Sequence, residues 1–183
     1  YIDVLQRQSA RLKKLIDDLL EASKASTGNL TVNAEPCDVG VLLDQTLGEY
    51  GEKLSAAGLE PVLTKPEKPV IIMADGRHMW RIFDNLLNNI CKYSQRGTRV
   101  YLEVCERDGK AVVTFRNISS RQLNISSDEL MERFVRGDSS RNTEGSGLGL
   151  NIAQSLAQLQ KGTMELTVDG DLFKVTLTFD VVK

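Results

Sequence analysis

Histidine is almost missing from this chain of 183 residues, His78 being the single one, so a zinc-type centre has little imidazole to draw on. Cysteine is sparse as well. Cys37, Cys91 and Cys105 are odd in number and show no C-x-x-C spacing, which fits reduced, cytosolic thiols better than a disulfide framework. There is no basic excess: 23 Lys and Arg stand against 25 Asp and Glu, a formal net charge of −2, so nucleic acid is not an expected partner. No run approaches the ~20 consecutive apolar residues of a transmembrane helix, and the N-terminus lacks a signal-peptide pattern, so this chain is not expected to insert into a membrane itself. Internal repeats and low-complexity segments are also lacking. What the chain does have is 41% hydrophobic residues, enough for one core and a small additional element.

The most informative stretch is Gly145-Ser146-Gly147-Leu148-Gly149-Leu150, which opens into the helical pattern Asn151 to Leu156. Glycines let backbone N–H groups close around phosphate, and a helix N-terminus behind them adds a favourable dipole. A purely structural loop-to-helix junction has the same wording, so the run does not decide alone. A second motif is Asp84-Asn85-Leu86-Leu87-Asn88-Asn89-Ile90-Cys91-Lys92-Tyr93. Met79, Ile82, Phe83, Leu86, Leu87 and Ile90 repeat with helical spacing, and Asn85, Asn89 and Lys92 fall along one flank of that apolar face. Amide oxygens are good hard ligands for Mg²⁺ and a Lys ammonium suits phosphate; polar shoulders of an ordinary amphipathic helix remain the alternative.

The chain divides near residue 28. In residues 1–27, Leu5, Leu12, Leu15, Leu19 and Ala22 occupy alternating a and d positions of a seven-residue repeat, with Gln8 the one polar exception, so this is expected to be a helix that packs on another helix. Packing on its own domain is the other reading. Beyond Gly28 the pattern fits an α/β sandwich. A strand is expected at Leu30 to Val32, then Asp38 as N-cap of a helix whose apolar positions run from Val39 to Leu54 and which Gly58 ends. Strands are expected at Pro61 to Leu63 and Val70 to Met73, and Asp75 is expected to cap the Asn-rich helix. A hairpin follows, with Val100, Leu102 and Val104 alternating, a turn at Asp108-Gly109, and Val113 and Phe115 alternating again. Residues 118–144 read as irregular except for a short helix that Ser126 and Glu129 could box-cap. Thr163 to Val168 and Phe173 to Val181 are the last strands, joined at Asp169-Gly170-Asp171.

In this order, the motifs resemble the catalytic and ATP-binding domain of sensor histidine kinases of two-component systems, a family that shares its nucleotide-binding fold with DNA gyrase, mismatch-repair ATPases and a heat-shock chaperone. Asn85, Asn89, Lys92 and Tyr93 match its N box, Glu132 to Arg141 its F box, and Gly145 to Leu150 its second glycine box. The resemblance implies a two-layer α/β (α+β) sandwich with a mixed, mainly antiparallel sheet, an N-terminal helix from a dimerisation and phosphotransfer hairpin (1–27), and a catalytic domain (28–183) with an ATP lid at about 118–146. It implies ATP and Mg²⁺ as cofactors: Asn89 holding the metal; Asn85, Lys92 and Arg136 contacting phosphates as the catalytic set; Gly145, Gly147, Leu148 and Gly149 supplying the cradle; Arg141 contacting phosphate; Tyr93 lining the site; Phe134 anchoring the lid. The family's usual Asp that accepts from the adenine amine is replaced here by Asn117, whose side-chain oxygen can still accept. No acid or base of this chain is assigned to the chemistry. The phosphoacceptor His is expected on the other hairpin helix, outside this sequence, and His78, the alternative acceptor, is expected to have a structural or surface role.

The implied partners are a cognate response regulator and a second copy through the hairpin helix, in a parent protein anchored in the bacterial plasma membrane with this part in the cytoplasm. Two other classes share the fold: a non-kinase ATPase or Ser/Thr-directed kinase, and an interaction module that binds nucleotide without turning it over.

Overall fold

The computed structural model of the protein describes residues 2–123, 129 and 148–182. The chain starts with α1 (Ile2–Ser26), β1 (Glu35–Asp38), α2 (Val39–Glu49), α3 (Gly51–Ala56), β2 (Glu60–Thr64) and β3 (Ile71–Ala74). It continues with α4 (Gly76–Tyr93), β4 (Arg99–Arg107), β5 (Lys110–Ile118), α5 (Gly149–Leu159), β6 (Thr163–Asp169) and β7 (Leu172–Asp180). The main sheet runs β2-β4-β5-β7-β6, and β1 pairs with β3 in a separate two-stranded sheet. Only β2 with β4 is parallel; the other described pairs are antiparallel. This is the mixed, mainly antiparallel sheet with helices on one face that the sequence implies.

Strand alternation decides which face the helices cover. Val100, Leu102 and Val104 on β4, Ala111, Val113 and Phe115 on β5, and Val175, Leu177 and Phe179 on β7 are all buried, each set at the period of two that points side chains to one side. Against them α4 sets Met79, Ile82, Phe83, Leu86, Leu87 and Ile90, the six apolar positions read from sequence. Phe83 meets Phe115 with ring centroids 5.7 Å apart. Helix α5 packs on α4, and α1 packs on α5.

Two local expectations change. Leu30 to Val32 is not a strand, because its backbone is engaged by side chains: Thr31 O accepts from His78 Nε2 at 3.0 Å, and Asn33 N donates to Asp75 Oδ2 at 3.0 Å. The first strand instead is Glu35–Asp38, which pairs with β3. The helix from Val39 is two helices, interrupted at Tyr50, whose ring is buried while its hydroxyl reaches Asp84 on α4. The other punctuation holds: Asp38 caps α2, Gly58 has φ +68, and Asp108 and Gly109 take φ 52 and 73 at the hairpin turn. The helix expected near Ser126 lies in a stretch of which only Glu129 is described.

Asp75 carries the start of α4. Its carboxylate accepts from Arg77 N and Asn33 N, and its own N–H donates to the buried Gln160 Oε1 at 2.7 Å. Burial alone would push this carboxyl up, but the Arg77 side chain and the two backbone donors outweigh it and hold the pKa at about 2. A depressed carboxyl contributes stability above its unfolded pKa and loses it as pH falls through the folded value. Asp75→Asn is therefore expected to cost about 1–2 kcal/mol at pH 6. The deficit should shrink as pH falls below about 4 toward 2, measured as the urea midpoint at each pH; a pH-independent deficit would show that the charge is not what matters.

Candidate nucleotide site

Helix α4 forms one wall. Asn85, Asn89 and Tyr93 are half-buried along it and Lys92 is exposed, so the expected polar flank exists on a helix whose opposite face is core. Asn85 Nδ2 donates to Arg81 O one turn back at 2.9 Å. That contact turns the Asn85 oxygen toward α5: a Cβ on Gly149 would come 3.2 Å from Asn85 Oδ1. Glycine serves close approach there rather than an unusual φ, and it brings the first turn of α5 against the N-box flank. Leu148 is the N-cap of α5, and its side chain makes no cap hydrogen bond. Among the described residues no cluster of three or more His, Cys, Asp or Glu could hold a metal ion; amide oxygens on α4 are the hard ligands on offer.

The far end of the wall is built by the junction of α4 and β5. Gln95 N donates to Ile118 O and Ser120 N to Tyr93 O, both at 2.8 Å, and Ser94 bridges Ser119. Asn117 continues the inward-facing set of β5 and is buried, and its Nδ2 donates to Ser94 Oγ at 2.8 Å. Asn117 therefore sits beside Tyr93 and Ser94, two turns of α4 beyond Asn85. That separation is about 12 Å at 1.5 Å per residue.

Of the residues singled out by sequence, Asn85, Asn89, Lys92, Tyr93, Asn117, Leu148 and Gly149 are placed on this wall. Arg136, Arg141, Gly145 and Gly147 lie outside the described residues, as do Phe134 and most of the expected lid. His78 is away from the wall, with Nε2 donating to Thr31 O. Ser94 was not singled out, since 23 positions separate it from Asn117 and nothing local links them. Arg81 was missed for the same reason. Its guanidinium meets Asp18 Oδ1 and Glu21 Oε2 of α1 at 2.9 Å each and Asp84 Oδ2 at 3.2 Å. Burial works against the charged guanidinium, but Glu21, Asp18 and Asp84 outweigh it and raise its pKa.

Most of this wall falls within a match to the family described as histidine kinase-, DNA gyrase B-, and HSP90-like ATPase, over residues 74–183. The signal transduction histidine-protein kinase BaeS of Escherichia coli K12 is 30% identical over 184 residues, which cover 92% of this chain and 39% of that protein. The chain thus spans about two fifths of that relative's length. Among solved structures, the Acinetobacter baumannii histidine kinase AdeS superposes with TM-score 0.80 at 20% identity, over 100% of this chain and 84% of that one. Full-length ShkA, solved in complex with AMPPNP, superposes with TM-score 0.82 at 20% identity, over 100% of this chain and 38% of that one. At those identities the superpositions establish the fold. With the family match spanning more than half of its length, the chain belongs to the histidine kinase-, DNA gyrase B-, and HSP90-like ATPases.

Proposed function

We propose that this chain binds Mg²⁺–ATP on the α4 wall and, within a longer sensor kinase, transfers the γ-phosphoryl group to a histidine on a hairpin helix. Asn85, Lys92 and Arg136 contact phosphates, Asn89 holds the metal, Gly145, Gly147, Leu148 and Gly149 offer backbone donors, Arg141 adds a phosphate contact, and Tyr93 and Asn117 receive the base. Bound Mg²⁺ neutralises charge on the phosphates; this chain's part is positioning and electrostatic stabilisation, which is most of what phosphoryl transfer asks of a protein. The observation that carries the reading is the sequence of contacts along one helix, from Gly149 packed on Asn85 to Asn117 held at Ser94.

Residues 1–27 would be the second helix of the hairpin. In support, α1 ends at Ser26 with Gly28 at φ +70, and Ile2, Leu5, Leu12, Ile16 and Leu19 are exposed, a stripe fit for another helix in a homodimer. The last two turns do pack on the domain, through Ala22 and Ala25. No described helix is long and apolar enough to cross a membrane; attachment to the bacterial plasma membrane, and phosphotransfer to a response regulator in the cytoplasm, belong to the longer protein.

The test is calorimetry of AMPPNP binding with and without Mg²⁺. Asn89→Ala is expected to weaken binding about tenfold when Mg²⁺ is present, the worth of one good polar interaction, and to change little in EDTA. Equal affinities with and without metal would remove the role given to Asn89. A supplied hairpin bearing the acceptor His should gain acid-labile phosphate only when this chain and ATP are present.

A further inference from the structure

An asparagine in place of an aspartate changes the recognition problem. A carboxylate presents an acceptor whichever way it turns, whereas an amide presents an acceptor on one side and a donor on the other. The adenine amine is a donor and the corresponding guanine oxygen an acceptor, so the orientation of the Asn117 amide decides which purine it suits. In this structure the donor end is engaged: Nδ2 donates to Ser94 Oγ at 2.8 Å. Both residues are buried, Asn117 at 5% and Ser94 at 8% exposure, so water is a poor substitute partner. The backbone of Ser94 is held too, as C-cap of α4 with its N–H donating to Ile90 O at 3.0 Å and with its bridge to Ser119.

We propose that Ser94 is a positioning residue for purine selection: with its hydroxyl acting toward the amide as acceptor only, it takes the hydrogen bond from Asn117 Nδ2 and leaves Asn117 Oδ1 as the atom that faces the base, which selects adenine over guanine. This rests on the α4 wall being the nucleotide site. It gives the hydroxyl at the helix C-cap a role distinct from capping, because the cap is made by the Ser94 backbone while the side chain acts on a residue 23 positions away.

The experiment measures Mg²⁺–ATP and Mg²⁺–GTP affinities by calorimetry for wild type, Ser94→Ala, Ser94→Thr, Asn117→Asp and the Ser94→Ala/Asn117→Asp double variant. Wild type is expected to prefer ATP by about tenfold or more, since a buried group facing the wrong partner costs about 1–3 kcal/mol. Ser94→Ala should lose most of that preference, mainly by gaining GTP affinity, and Ser94→Thr should restore it. In the Asn117→Asp background the same Ser94→Ala change should leave the ATP:GTP ratio unaltered, because a carboxylate needs no orienting partner. The Asn117 side-chain amide resonances provide a readout without nucleotide, and their protection from solvent exchange should fall in Ser94→Ala. Tight ATP binding with an unchanged ratio in Ser94→Ala would overturn the role of Ser94 alone. Failure of wild type to bind either nucleotide would overturn the site as well. An equal fall in ratio with and without Asp at 117 would mean that Ser94 acts on the fold and not through the amide.

Discussion

Arg81→Met is expected to destabilise the protein by about 3–5 kcal/mol, the range for removing one partner of a buried ion pair. Methionine keeps most of the volume and all of the helix propensity, so the effect isolates the charge. The Arg81, Asp18, Glu21 and Asp84 side chains are 24%, 7%, 23% and 20% exposed. Without the guanidinium, the Asp18, Glu21 and Asp84 carboxylates lose the cation they share, while Asp84 keeps the Tyr50 hydroxyl, which donates to it at 2.5 Å. Burial pushes the Tyr50 hydroxyl pKa up and the Asp84 carboxylate raises it further, so Tyr50 stays protonated and remains a donor. The loss should be local first. Arg81 is the polar tie between α1 and α4, and hydrogen exchange should show α1 amides opening while β4, β5 and β7 keep their protection. A melting temperature lowered by about 10 °C follows from the usual enthalpy of a domain this size. Adding Asp18→Asn should return part of the loss, because it removes one of the carboxylates that repel each other once the shared guanidinium is gone. Unchanged melting and unchanged α1 protection would show that apolar contact alone docks that helix.

Gly162→Ala is expected to cost about 3 kcal/mol, at the upper end of overpacking penalties. A Cβ at Gly162 would fall within 2.8 Å of three ring carbons of Phe179. That ring is 3% exposed on β7, so it cannot swing into solvent and must displace its neighbours. Backbone conformation is not the cause, since Gly162 is not among the residues with positive φ, although Lys161 before it is, at φ 63. Gly48→Ala is the contrast: nothing lies within 4 Å of its Cβ position in α2, and the same substitution there should stabilise by about 0.5–1 kcal/mol through helix propensity. Chemical denaturation of both variants checks the opposite signs. Phe179→Leu combined with Gly162→Ala should cost less than the sum of the two single changes, because the smaller side chain relieves the clash.

The same contrast runs through the molecule. Features that depend on a residue and its near neighbours were legible in the sequence. Asp38 and Asp75 cap α2 and α4 because a short acidic side chain reaches N–H groups two or three residues on. Asp108-Gly109 and Gly170 make the hairpin turns because positive φ suits those residue types. The apolar face of α4 and the inward strand positions follow from periods of 3.6 and 2. Together these determined the layered α/β class, and the three motifs in order determined the family.

What the sequence did not determine depends on groups far apart along the chain. Leu30 to Val32 has strand composition, yet the His78 and Asp75 side chains engage the backbone around it before a neighbouring strand can. Tyr50 interrupts a continuous helical pattern while its hydroxyl reaches Asp84, 34 positions away. Gly149 reads as a flexible phosphate-loop glycine, but a side chain there would press on the oxygen of Asn85 on another helix. Arg81 with Asp18 and Glu21, and Asn117 with Ser94, are pairs that no local preference announces. Sequence by itself determined most of the elements, the caps of α2 and α4 and the residue types along the α4 wall, because dihedral preference and hydrophobic period are local properties. Tertiary structure alone decided which end of each amide is engaged, where glycine is required and what ties α1 to α4, because those outcomes depend on distances between side chains that only folding brings together.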